Sequence, residues 1–131
     1  MIGFRAILLC DAARVEPDGS LSLAHVYNDR LFAPPGDGPI TVAAFVVAAI
    51  ARGLRGAERV GFRHHLRAHD VPQEPPPFAY HDHDPLSDEH NFLFEHEHVV
   101  FSSTGVYVLE LELATADLAI TELFAFTVER R

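Results

Sequence analysis

No lysine and no tryptophan occur among the 131 residues, and cysteine and methionine appear once each. Each absence excludes something. Without lysine, the cationic side rests on ten arginines against nineteen acids, a formal net charge of −9. That balance has the wrong sign for the basic stripe a phosphate backbone requires, so no nucleic-acid partner is expected, and an anionic membrane surface is disfavoured on the same ground. One cysteine cannot close an intrachain disulfide, which fits a reducing compartment and makes the cytoplasm the expected address. No uninterrupted apolar run of about 18 residues is present to span a bilayer. The opening MIGFRAILLCDAAR sets a short apolar run before a cysteine, as a lipoprotein signal does. The run is too short for a secretory segment, and the bulky Leu9 stands ahead of Cys10. A glycine-rich phosphate loop is also missing, because Gly36 and Gly38 are followed by proline with no helix start to receive an anion.

What is present suits one ordinary domain, since 48% apolar residues over this length can bury a core unaided. Residues 4 to 15 and 20 to 33 are apolar segments joined by EPDG, where proline presets the bend and glycine is free to take positive φ. They read as a hairpin. PPGDGP at 34 to 39 is a loop. In ITVAAFVVAAIA, 40 to 51, the alanines favour helix and the β-branched residues favour a strand buried on both faces; a strand is expected, because its neighbours alternate as strands.

ERVGFRHHLRAHD, 58 to 70, alternates at period two. Val60, Phe62, His64, Leu66 and Ala68 fall on one face, with Arg59, Arg63, His65, Arg67 and His69 on the other, a cationic outer surface. VPQEPPPF at 71 to 78 is too rich in proline for helix or central strand. NFLFEHEHVVF, 91 to 101, is another strand. Tyr107, Leu109, Leu111 and Leu113 then alternate with Val106, Val108, Glu110 and Glu112, which places both glutamates on an exposed face. After TAD at 115 to 117, a last strand carries Leu118, Ile120, Phe124, Phe126 and Val128 on one side, and these two strands are expected to pair as a C-terminal hairpin. Seven to eight short strands and no helix predict an all-β fold, an antiparallel β-sandwich.

The stretch Phe101-Ser-Ser-Thr-Gly105-Val-Tyr107 resembles the corner between the fifth and sixth strands of immunoglobulin-like sandwiches, where a tyrosine near the strand start locks the crossover. That likeness implies that strands 91–101 and 106–114 lie in different sheets. The opening LLCDAARV with its turn at 16 to 19, together with the closing FSSTGVYVLELEL, is similar to an uncharacterised family of short bacterial β-sandwich proteins, a domain of unknown function. The resemblance implies the sandwich and carries no activity.

Chemistry concentrates in HDHDPLSDEHNFLFEHEH, 81 to 98, which holds five of nine histidines and six of nineteen acids. His81, His83 and His90 among Asp82, Asp84, Asp88 and Glu89 offer imidazole and carboxylate ligands suited to zinc, nickel or copper, and His96 and His98 leave one face of a strand. The five histidines are the candidate metal ligands, for a divalent metal as the one conceivable cofactor. The competing reading is packing and solvation: Phe92, Phe94, His96 and His98 share a face, so His96 and His98 would sit at the core's edge with Glu95 and Glu97 in water.

No catalytic constellation is recognised. Cys10 lacks a nucleophile elbow and is expected to pack inside the first strand, and Ser102, Ser103 and Thr104 read as turn formers. The sequence therefore points to a small non-catalytic binding or assembly module, acting through a sheet face or strand edge on another protein or on itself as a homodimer, with the arginine row of 59, 63 and 67 facing the acidic second half. Metal binding by 81–98 is the alternative.

Overall fold

The structure is a computed structural model that describes residues 1–67 and 76–131. Among these the chain forms nine strands and no helix. They are β1 (Gly3–Val15), β2 (Leu21–Asn28), β3 (Arg30–Ala33), β4 (Ile40–Arg52), β5 (Arg59–Arg67), β6 (Ala79–Asp82), β7 (His90–Phe101), β8 (Gly105–Ala114) and β9 (Ala119–Arg130). One sheet runs β2-β1-β4-β7 and the other β3-β9-β8-β5-β6. The chain divides into two compact units, one of residues 1–5, 50–90 and 107–125, the other of 6–49, 91–106 and 126–131.

In the second unit the EPDG turn closes as its residues dictate. Gly19 takes φ +87°, its N–H donates to the Glu16 carbonyl at 2.9 Å, and Asp18 Oδ1 accepts from Ser20 N at 3.0 Å. The β1–β2 ladder pairs Ala12 with Ala24 and Val15 with Leu21, and it slips between Leu9 and Cys10. Such a bulge turns two successive side chains the same way, and both Leu9 and Cys10 are fully buried. β4 is a strand, central in its sheet. Phe45, Val46, Val47, Ala48 and Ala49 are all buried, so the alanines serve as small side chains on a strand covered on both faces. Phe101 and Phe126 meet edge to face, with centroids 6.2 Å apart.

In the first unit β5 lies between β6 and β8. The β5–β8 ladder sets Phe62 against Leu113, Arg63 against Glu112 and His65 against Glu110. Val60, Phe62, Leu109, Leu111 and Leu113 are buried, as the period-two reading requires, and Phe4 meets Phe62 edge to face at 6.0 Å. Gly53 has φ +78°, and a Cβ there would fall onto the backbone of Met1. Only glycine lets these two backbone segments approach so closely.

Three departures from the sequence reading are structural. Residues 20–33 are not one strand: Asn28 takes φ 60°, β2 ends there, and β3 joins the other sheet. β3 runs parallel to β9, pairing Leu31 with Val128, so that sheet is mixed rather than wholly antiparallel. Strands β3 and β6 also raise the count above seven or eight. Ala68, His69 and Asp70 of the expected 58–70 strand, and residues 71–75 of the proline-rich connection, lie outside the described residues.

Candidate functional site

The five candidate histidines fall in different settings. β6 pairs with β5, setting Val60 opposite His81 and Arg59 opposite Asp82. β6 ends at Asp82, so His81 is its last-but-one residue and His83 the first residue of the loop that follows. Past β6 the chain is stitched to the 54–58 loop by backbone bonds: His83 N to Glu58 O at 2.9 Å, Gly56 N to Pro85 O at 2.7 Å, and Leu54 N to Asp88 O at 3.0 Å. Asp84 Oδ1 accepts from Leu86 N at 3.0 Å, an Asx turn that explains the Asp-Pro-Leu-Ser sequence. Glu89 receives Arg5 Nη1 on both oxygens at 2.9 Å.

This loop brings two of the five together. His83 is buried at 7% exposure, with Nε2 2.9 Å from the Ser87 carbonyl oxygen and Nδ1 3.0 Å from His90 Nδ1. A carbonyl oxygen only accepts, so Nε2 of His83 carries a proton, and in the neutral form of the ring Nδ1 holds the lone pair that faces His90. Burial, then the neighbouring His83 and His81, holds the His90 imidazole below its usual pKa. His81 is exposed, its ring centroid 6.0 Å from that of His90. The other two histidines serve the second unit. His96 stacks on Phe45 with centroids 5.0 Å apart and planes at 19°, and burial lowers its pKa. His98 is exposed, with φ 52°. Among the described residues no three His, Cys, Asp or Glu side chains are already arranged as a metal-ligand set.

A second constellation was not legible in the sequence. Glu110 and Glu112 do not stand free on an outer face: Glu110 is 9% exposed and Glu112 half-buried. Register sets them opposite His65 and Arg63. Arg63 Nε contacts Glu112, and Arg67 Nε lies 2.6 Å from Glu110 Oε2, with His65 Nε2 at 3.4 Å from the same oxygen. Neither neighbour is aligned as a hydrogen-bond donor, so Oε2 is buried among nearby charge without a directed bond. The Arg63 guanidinium lies 4.2 Å from the Phe78 ring centroid, and that of Arg59 5.1 Å from Tyr80. The cationic row is thus largely neutralised within its own sheet, which corrects the expectation of a free basic face.

Cys10 is fully buried, its Sγ 3.8 Å from the Val46 carbonyl oxygen, and burial followed by the charge of Asp11 pushes the thiol pKa up. Ser102, Ser103 and Thr104 are exposed between β7 and β8. An open cleft of about 800 Å³ in the first unit is bordered by Arg55, Glu58, Arg59, Tyr80 and Asp117, a lining of mixed sign. No protein-family model matches the chain, and no curated protein matches it.

Proposed function

We propose that the chain is a small non-catalytic module that assembles with a second copy of itself or with another protein through a strand edge. The observation that carries this reading is β7, which ends the four-stranded sheet and extends over twelve residues. A strand of that length at the end of a sheet, as the described residues place it, is a template on which another strand adds. The other edges are less suited. β3 and β6 have four residues each, and β2 has eight with left-handed backbone at His25 and Asn28, whereas β7 has one such residue, His98, which leaves the run from His90 to Glu97 regular. Val100, at 60% exposure, supplies an apolar contact on β7.

The wider reading is an immunoglobulin-like β-sandwich in a reducing, cytoplasmic setting, akin to the short bacterial family of similar sequence. It is supported by β7 and β8 belonging to different sheets, by the burial of Tyr107 and by the lone buried cysteine. No described helix is long and apolar enough to cross a membrane. The test is sedimentation equilibrium of the untagged chain and of Val100→Lys. A concentration-dependent dimer that Val100→Lys weakens is expected, whereas a monomer at the highest attainable concentration removes the self-assembly form. Because Arg63 and Arg67 already face Glu112 and Glu110, the dimer should persist in high salt.

A second reading, metal binding by the 81–98 segment, is favoured by one distance: the 3.0 Å between His83 Nδ1 and His90 Nδ1.

A further inference from the structure

We infer that His83 Nδ1 and His90 Nδ1 form the two fixed corners of a site for a borderline divalent transition cation, nickel or copper in class, with His81 within reach as a third ligand. This rests on the metal-binding reading and narrows it to one end of the segment. Three features carry it. The first is the approach of the two nitrogens to 3.0 Å. Metal–nitrogen bonds of about 2.1 Å span that separation at an angle of about 90°, narrower than the tetrahedral angle zinc favours. Adjacent corners at a right angle belong to the tetragonal and octahedral geometries of copper and nickel.

The second feature is the outer partner of His83. Its Nε2–H donates to the Ser87 carbonyl at 2.9 Å, which fixes ring orientation and leaves Nδ1 as the only basic nitrogen. Metal-bound histidines show this arrangement as a rule, since the outer acceptor sets the tautomer and raises the basicity of the ligating atom. The third is rigidity: the loop carrying His83 and leading to His90 is held to the 54–58 segment by three backbone bonds and to Arg5 through Glu89. Little ordering cost then remains when a cation enters.

His81 lies in β6, two residues before His83, with its ring centroid 6.0 Å from that of His90. A side-chain rotation brings its imidazole toward the pair. Two of the nearby carboxylates are otherwise engaged, Asp84 by Leu86 N and Glu89 by Arg5, so the ligand set is imidazole nitrogen completed by water or by Asp82 or Asp88. Without a cation the same geometry is an N–H···N bond in which His90 Nδ1–H donates to His83 Nδ1. Cation binding at His90 Nδ1 moves that proton to Nε2 of the same ring, a change of tautomer with no net proton release.

The test uses the full, untagged chain, stripped with chelator and titrated with Cu²⁺ and with Ni²⁺ by calorimetry, alongside His90→Gln, His83→Gln, His81→Gln and His98→Gln. One equivalent is expected to bind, with affinity reduced at least tenfold by His90→Gln and by His83→Gln, less by His81→Gln and not by His98→Gln. Electron paramagnetic resonance of the copper form should show hyperfine coupling from two or three nitrogens. Because His83 is buried, its variant counts only if its circular dichroism matches the parent; His90→Gln and the wild-type nitrogen coupling decide otherwise. Binding that survives His90→Gln but is lost on changing His96 and His98 overturns this assignment and leaves the broader metal reading standing. No binding above chelator background overturns both.

Discussion

At the scale of single residues, burial sets the behaviour of the ionisable groups. His96 is stacked on Phe45 with its pKa lowered by burial, so the unfolded chain takes up its proton at a higher pH than the folded one. Stability from the neutral ring is complete above about pH 6.5 and is lost as pH falls through the depressed folded value. The urea midpoint should therefore drop between about pH 7.5 and about pH 5.5, and His96→Phe, which keeps an aromatic stack and removes the proton, should flatten that slope. A steeper slope in the variant would contradict the assignment. Glu110 makes the complementary case. It is buried beside Arg67, and Arg67 is half exposed, so solvent screens part of their attraction. Arg67→Met should cost about 1 kcal/mol by leaving the carboxylate without its cation, while Glu110→Met should be close to neutral because an apolar chain replaces a desolvated charge. Thermal melts of both variants check the ordering. Alternation along β8 correctly put Glu110 on the face opposite Leu109 and Leu111. It gave no information about what covers that face, because the His65 and Arg67 neighbours come from strand register, which a single segment does not encode.

At the scale of elements, glycine and proline punctuation, together with period-two rows, made the strands legible. β1, β4, β5, β7, β8 and β9 fall where the sequence places them, and even β4, with helix-favouring alanines, follows its β-branched residues. What escaped is partner choice. β3 leaves the β2 segment at Asn28 and lies parallel to β9, and nothing in Arg-Leu-Phe-Ala distinguishes a hairpin continuation from a crossover. The histidine segment divided in the same way: sequence found its residues, but the 3.0 Å approach of His83 and His90 depends on how the 83–89 loop is tied to residues 54–58. That junction yields a paired prediction. Gly53 and Gly56 both have positive φ, yet a Cβ at Gly53 meets the Met1 backbone whereas one at Gly56 meets nothing within 4 Å. Gly56→Ala should cost about 1 kcal/mol from backbone strain alone. Gly53→Ala should cost appreciably more, because backbone atoms must also move. Equal urea midpoints for the two variants would refute the close-approach argument.

At the scale of the whole molecule, charge balance governs association. The formal charge is −9 with nine histidines neutral, and the sequence pI is about 5.3. Protons are taken up by imidazoles and then carboxylates as the medium is acidified, so the net negative charge shrinks and mutual repulsion between copies fades toward the pI. Self-association should strengthen between about pH 7 and about pH 5; an unchanged sedimenting mass would argue against it. Cys10, finally, gives the chain a clock of its own. It is the sole thiol and is sealed from solvent in β1, so an alkylating reagent reaches sulfur only when that strand opens. The rate of labelling under native conditions counts those openings directly, with no engineered probe and no second site to confuse the signal.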